Sequence, residues 1–309
     1  MNAVSKDETK AVDQHNTGLY HKFNAEYVDG SSAPGGRHHG DDLFVLNLTT
    51  DPHAMPALKA YAKSCANGYP ALAADLRAKI RATLPSEFVT VPETTLPNGL
   101  IVPAFEVSRF LCTVADGKAT VQADAVPTVD INYHDAVKAC DAAELKLIRE
   151  TQALAIAWNI YNVDANWAGG KVGEGDLRQG LHNGSVGEAQ SNDYESDDSD
   201  EDRRFYLSNG AVIYDAAGHL YTWVFDDVQG DEHGIVASKF ATDSISTTTC
   251  PDDSMERGTG WRPSSGANWS GSALLRGGRW VGGDRAGVFF LYSTHPGFDY
   301  VSVGFRSTK

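Results

Sequence analysis

Two kinds of apolar spacing alternate along this chain. Over residues 54–80, Leu58, Tyr61, Cys65, Leu72 and Leu76 recur near helical spacing in a stretch rich in Ala, Leu and Lys. Asp51 and Pro52 open that stretch and Gly68 and Pro70 interrupt it, which predicts one or two helices. Over residues 132–162, Val137, Cys140, Leu147, Leu154, Trp158 and Tyr161 supply a second apolar stripe, expected over two consecutive helices. Elsewhere the apolar runs have strand length: residues 43–48 after a Gly-rich turn, then 104–114. Beyond Asn166 short aromatic or β-branched runs at 205–207, 211–214, 220–225, 274–275, 288–292 and 300–305 are separated by glycine turns. Helices followed by many short strands and long loops predict an α+β domain rather than a doubly wound sheet.

Composition divides the chain the same way. All 6 tryptophans and 22 of the 30 glycines lie from Trp158 onward, so the two halves follow different rules. Residues 1–20 are polar and aperiodic and are expected to form a flexible tail, and 21–84 a small α/β module. Residues 85–103 carry Pro85, Pro92, Pro97 and Pro103 in extended sequence, which suits a linker or edge strands because proline cannot donate to a ladder. The remainder, 104–309, is expected to be the large domain.

Charge and motifs mainly exclude. A net charge of −15 and a pI near 5.0 argue against a surface that broadly grips nucleic acid or anionic lipid. No apolar run approaches membrane-spanning length, and the N-terminus lacks the apolar core of a secretory signal. Much of the excess charge sits in residues 188–202, with 8 carboxylates in 15 positions, expected to be a solvated loop since no EF-hand spacing occurs; calcium is the one ion this loop leaves open. Cys65, Cys112, Cys140 and Cys250 show no CxxC spacing and are expected as buried thiols, with one long-range disulfide left open. His38, His39, His134, His182, His219 and His233 are scattered and expected at the surface or the edge of the core. A nucleophile elbow, a Walker loop, a zincin helix and a dinucleotide fingerprint are all lacking, so no catalytic residue or cofactor is assigned.

One pattern in the last third is specific. Asp215, Gly218 and Trp223, then Arg276, Gly277, Gly278 and Trp280, then Gly304, Phe305 and Arg306 occur in this order. Over residues 100–309 the chain resembles the formylglycine-generating enzyme-like family, a version of the C-type lectin fold, departing from it in His219 for Asn and Arg279 for Ser. The resemblance implies that fold, and each matched residue also has a scaffold role: Trp223 and Trp280 as core anchors, Gly277 and Gly278 for backbone geometry, Arg306 on loop carbonyls or a buried carboxylate. It does not extend to the copper chemistry of that family, because no cysteine lies between Arg276 and Lys309.

Within that frame the chain is most similar to the variable proteins of diversity-generating retroelements, whose C-terminal segment is rewritten at asparagine-type codons. The corresponding segment here is about 276–306. Arg279, Val281, Asp284, Arg285, Phe290, Tyr292, Thr294, His295, Phe298 and Tyr300 stand where the template would be variable. Tyr, Phe, Arg and His combine contact area with hydrogen bonding at modest entropic cost, as in antibody loops, while Val288, Phe289 and Leu291 are expected in the core. The resemblance implies a non-enzymatic protein that binds a protein or other macromolecular ligand on a target surface. It implies display on a phage tail or cell surface by a route other than a signal peptide, and a homo-oligomer in which multivalency strengthens weak sites. Residues 35–76 are similar to small proteins of phage and prophage genomes. Two alternatives stay open: a metal-dependent enzyme of the formylglycine-generating, sulfatase-modifying kind, and a purely structural virion protein.

Overall fold

The computed structural model describes residues 25–49, 51, 53–83, 86–239, 244–251, 257–263 and 268–309. The tail expected over 1–20 lies outside them. The chain divides into two compact units, Met1–Leu84 and Pro85–Lys309.

In the first unit the described residues form two helices, α1 (Ala54–Ser64) and α2 (Pro70–Thr83), which meet across a turn at Gly68. Pro70 opens α2, where its missing N–H costs nothing. The strand expected over 43–48 does not form, and Leu43, Phe44 and Val45 are exposed. No second strand is present among the described residues of this unit to pair its backbone, so the expected α/β module is helical there.

The second unit is α+β, as expected from the C-type lectin-like pattern: two main helices, short strands and long loops. Its strands are β1 (Phe88–Val91), β2 (Thr94–Thr95), β3 (Ile101–Val102), β4 (Phe105–Ser108), β5 (Thr113–Ala115), β6 (Lys118–Thr120) and β7 (Lys146–Leu147). The later ones are β8 (Arg204–Tyr206), β9 (Val212–Tyr214), β10 (Tyr221–Val224), β11 (Ala273–Arg276), β12 (Leu291–Thr294), β13 (Val303–Phe305) and β14 (Ser307–Thr308). One sheet has the order β1-β4-β14-β7 and the other β12-β11-β10-β13, with β13 parallel to β10. The Pro-rich segment is thus not a linker: β1 is an edge strand on β4, and Pro92, Pro97 and Pro103 lie between strands, where no ladder bond is lost.

The long helical stretch breaks into α3 (Tyr133–Ala142) and α4 (Glu150–Tyr161), with β7 between. The Asn132 side chain accepts the Asp135 N–H at 2.9 Å and so starts α3. Helix α4 buries Leu154, Ala155, Ile156, Ala157 and Ile160 against Val89, Phe205, Ile213, Val224 and Phe289. Trp223 fills the centre of β10 at 0% exposure, and its indole N–H donates to the Ile131 carbonyl at 2.9 Å. The four cysteines are buried free thiols. No helix of the described residues is long and apolar enough to cross a membrane.

Asp226, just past β10, is fully buried, and its Oδ1 accepts the Val228 and Gln229 N–H groups while Oδ2 has no partner among the described residues. Burial, assisted by Glu150 and Asp227, pushes its carboxyl up to about 6 against those two hydrogen bonds. The ordinary value is 3.8, so between about pH 4 and pH 6 the folded protein holds more protons than the unfolded chain and stability falls as pH rises. Asp226→Asn keeps the Oδ1 acceptor and cannot ionise. It is expected to exceed the parent in stability by up to about 3 kcal/mol at pH 7.5 and to show no such advantage below about pH 4. Urea unfolding at both pH values checks this, and an advantage equal at the two would refute it.

Candidate functional site

The residues of the sequence frame form an interior scaffold. Asp215 and His219 take left-handed backbone, φ 53° and 35°, flanking Gly218 at 69° in a tight turn. A Cβ on Gly218 would stand 2.3 Å from the Gln179 carbonyl, so only glycine fits. Asp215 and Arg203 are both buried and pair through two hydrogen bonds of 2.8 and 2.6 Å. Burial alone would raise the Asp215 pKa, but Arg203 and His219 overcome it and hold the carboxyl well below the usual carboxylate range. His219, expected near the surface, is fully buried. Its Nε2 accepts the Gln190 N–H at 2.9 Å, which puts the ring proton on Nδ1, 3.3 Å from Asp215. The imidazole therefore braces this turn from inside.

Arg276 and Arg306 are struts. Arg276 forms a bidentate pair with the buried Glu150 at the start of α4 and also donates to the carbonyls of Phe289 and Ser246, at 3.1 and 3.2 Å. Burial opposes its charge, but Glu150 more than compensates and its pKa rises. Arg306 donates to the carbonyls of Ser108 in β4 and Tyr214 in β9, tying the β1-β4-β14-β7 sheet to the β8–β9 hairpin just where the chain passes from β13 to β14. With no carboxylate in direct contact, burial lowers its pKa to about 10. A run of arginines near the C-terminus suggests a positive face, but these two lie inside, and Lys309 pairs with Glu106 at 3.2 Å. Only Arg279 and Arg285 remain on the face, against Asp284 and Asp299.

The acidic run divides as well. Glu188, Asp193, Glu195, Asp197 and Asp200 are exposed, whereas Glu201 is buried and Asp202 is partly so. Glu201 accepts the N–H groups of His182 and Asn183 at 2.8 and 2.7 Å and the Ser196 hydroxyl at 3.0 Å. Asp202 binds Arg204 and Arg178. The last two carboxylates of the expected solvated loop are therefore loop anchors. Among the described residues no three His, Cys, Asp or Glu side chains come together as a metal site.

The ten candidate binding residues lie on β12 and on the loops before and after it. Val281, Asp284, Arg285, Tyr292, His295, Phe298 and Tyr300 are exposed, and Arg279 and Thr294 partly so. Phe290 is 3% exposed, and its ring stacks at 5.3 Å beneath Tyr221, so it supports the face rather than forming it. Arg279 lies 5.8 Å from the rings of both Tyr221 and Tyr300, and Phe298 stacks on Tyr300 at 5.9 Å. On the other side of Phe290, Trp261 stands 6.0 Å from Tyr292 and carries Arg285 over its ring at 5.2 Å. These rings and guanidinium groups make one connected surface. Val281 packs instead towards Gly184, and nothing among the described contacts joins Thr294 or His295 to the cluster. Tyr221, Trp261 and Trp269, which sits 6.3 Å from Tyr292, belong to the surface but were not expected there. They lie outside the 276–306 segment, and because β10 is buried at Thr222, Trp223 and Val224 alike, no periodic signal marks Tyr221 as displayed.

The backbone beneath these side chains is held by backbone partners. Tyr133 and Asp130 donate to the carbonyls of Pro296 and Tyr300 at 3.0 and 3.2 Å, and Trp261 donates to Arg285 at 2.9 Å while accepting from Leu291 at 2.8 Å. Trp280 donates to His219 at 3.1 Å, and Gly283 donates to His182 at 2.9 Å. Gly278, at φ 85°, lets Ala286 pass 2.6 Å from where a Cβ would stand. These contacts do not involve the displayed side chains; His295 is an exception on this segment, its Nδ1 accepting the Gly297 N–H at 3.0 Å.

Several solved structures are similar to this chain. One is PvdO from Pseudomonas aeruginosa, with 14% identity over 73% of this chain and 92% of that one, at a TM-score of 0.34. Treponema denticola variable protein 1 has 14% identity over 72% of this chain and 93% of that one, at a TM-score of 0.33. The Major Tropism Determinant I1 variant has 14% identity over 73% of this chain, which spans about half, 53%, of that longer protein, at a TM-score of 0.35. No family model and no curated protein matches the sequence.

Proposed function

We propose that residues 104–309 form a non-enzymatic binding domain whose segment of about 276–306 is diversified by a retroelement, for display on a phage tail or cell surface. The observation that carries this reading is the separation of backbone from side chain. The trace from 278 to 303 is held by backbone hydrogen bonds and buried frame residues, with one side-chain bond from the candidate positions, at His295, while nine of the ten candidate positions are open at least in part to solvent. Substitution at such positions changes the partner without disturbing the core.

A library of the full chain randomised at Arg279, Val281, Asp284, Arg285, Tyr292, Thr294, His295, Phe298 and Tyr300 tests it. Most members are expected to remain soluble, with a melting temperature within a few degrees of the parent, because surface changes usually cost under about 0.5 kcal/mol each. Selection against hen-egg lysozyme is expected to yield binders. Unfolding of most members would refute the proposal. Sequencing the DNA beside the gene is an independent check, with a reverse transcriptase and a template repeat differing only at adenines as the expected finding.

A further inference from the structure

The face carries an electrostatic feature that its residue types alone do not reveal. Among the described residues, Arg37, Arg178, Arg203, Arg204 and Arg276 each have a carboxylate partner, and Arg109 and Arg306 donate to backbone carbonyls. In a chain with 41 acidic against 26 basic residues, such pairing is the easy outcome. Arg279 and Arg285 differ: neither has an ion pair or a side-chain hydrogen bond among the described residues, and each lies over aromatic rings instead, Tyr221 and Tyr300 for the first and Trp261 for the second. Tyr221, Phe290 and Trp261 connect the two positions in a continuous row of rings, with centroid separations of 5.3 and 6.2 Å. Stacking restrains a guanidinium while using none of its five N–H donors, whose fork matches the two oxygens of a carboxylate.

We propose that Arg279 and Arg285 are paired carboxylate anchors, and that the occupant of this face is a protein surface presenting Asp or Glu beside apolar side chains. This rests on the binding reading above and names the chemistry of its ligand. Three observations select a protein over an acidic polysaccharide. The ring faces of Tyr221, Tyr300 and Trp261, on which a sugar would stack, are covered by guanidinium groups. Asp284 and Asp299, on the same loops, repel a uniformly charged polyanion but tolerate carboxylates placed only at the two arginines. Tyr292 and Phe298, at 44% and 41% exposure, offer apolar area that matches protein side chains.

The test selects a phage-displayed library of random twelve-residue peptides against the full chain. The enriched peptides are then titrated against the parent, Arg279→Gln/Arg285→Gln, and the Tyr292, Phe298 and Tyr300 triple alanine variant, with heparin as a separate ligand. Thermal melts confirm that all three proteins are folded. Peptides carrying Asp or Glu together with apolar residues are expected, with affinity falling at least about tenfold in the double glutamine variant and falling also at 0.5 M NaCl. Peptides without carboxylates, or equal binding to the parent and the double glutamine variant, overturn the anchor assignment. If those peptides still lose binding to the triple alanine variant, the face itself stands and only the anchors fail. Equal binding to all three proteins, or no enrichment, overturns the binding face together with the anchors. Heparin bound more tightly than any peptide, through the same two arginines, overturns the protein assignment in favour of a sulfated polysaccharide.

Discussion

Replacing Glu150 by alanine is expected to cost about 3–5 kcal/mol of stability, since removing one partner of a buried ion pair leaves the other charge uncompensated. Glu150 is 0% exposed and Arg276 only 4%, and among the described residues no other carboxylate contacts the guanidinium. Arg276 would then rely on the carbonyls of Phe289, Phe290 and Ser246, neutral acceptors that cannot replace a carboxylate. For a domain of this size the loss corresponds to a fall in melting temperature of roughly 6–20 °C. The carbonyls of Phe289 and Phe290 lie just before β12, so the loss should also loosen the backbone under Tyr292. Exchanging both members, Glu150→Met with Arg276→Met, removes the stranded charge and should recover a substantial part of the loss. Thermal unfolding of the two variants checks the argument, and a loss below about 1 kcal/mol for Glu150→Ala would count against the strut.

The second large effect is a contrast between neighbours on one segment. Tyr292, Phe298 and Tyr300 are exposed at 41–44%, so replacing all three by alanine is expected to lower stability by no more than about 2 kcal/mol. Phe289 is 0% exposed and packs edge-to-face on Trp158 and Tyr161 at 5.3 and 5.9 Å, so alanine at that single position is expected to cost about 3–5 kcal/mol. Binding should invert this order. The triple variant loses the apolar centre of the face and is expected to bind none of the ligands selected on the parent, while Phe289→Ala, where still folded, keeps them. A triple variant as unstable as Phe289→Ala would make those aromatics core residues and end the display reading.

Arg276 shows how far local sequence can be read. Its place in an Arg-Gly-Gly-Arg-Trp run marked it as part of the frame, but its partner was not legible. Glu150 looks like an ordinary acidic residue in the first turn of a helix, a position favoured at solvent-exposed helix starts by the helix dipole. Only the packing of α4 against β11 turns it inward. Phe290 shows the opposite: in an alternating run it shares a parity with Tyr292, but the chain turns at residues 287–290 before β12 begins at Leu291, which leaves Phe290 buried and Tyr292 exposed. The β-run expected over 288–292 placed the strand too early for that reason. The strand expected over 43–48 failed because apolar content does not supply a pairing partner.

By itself the sequence determined the two-part organisation, the α+β class, the helices over 54–80 and 132–162, and the scaffold residues from Asp215 to Arg306. These follow from periodicity, from turn positions that only glycine or a short polar side chain can satisfy, and from the cost of leaving the large apolar area of tryptophan in water. Tertiary structure decided which charges are structural and which are displayed. Arg276 meets a carboxylate 126 residues away, and Arg306 a carbonyl 198 residues away, while the side chains of Arg279 and Arg285, from the same few turns of chain, meet aromatic rings among the described residues. An arginine carries the same charge and donors in either setting. What distinguishes a strut from an anchor is the partner that distant segments bring to it, and that is fixed only when the sheets and α4 close around the core.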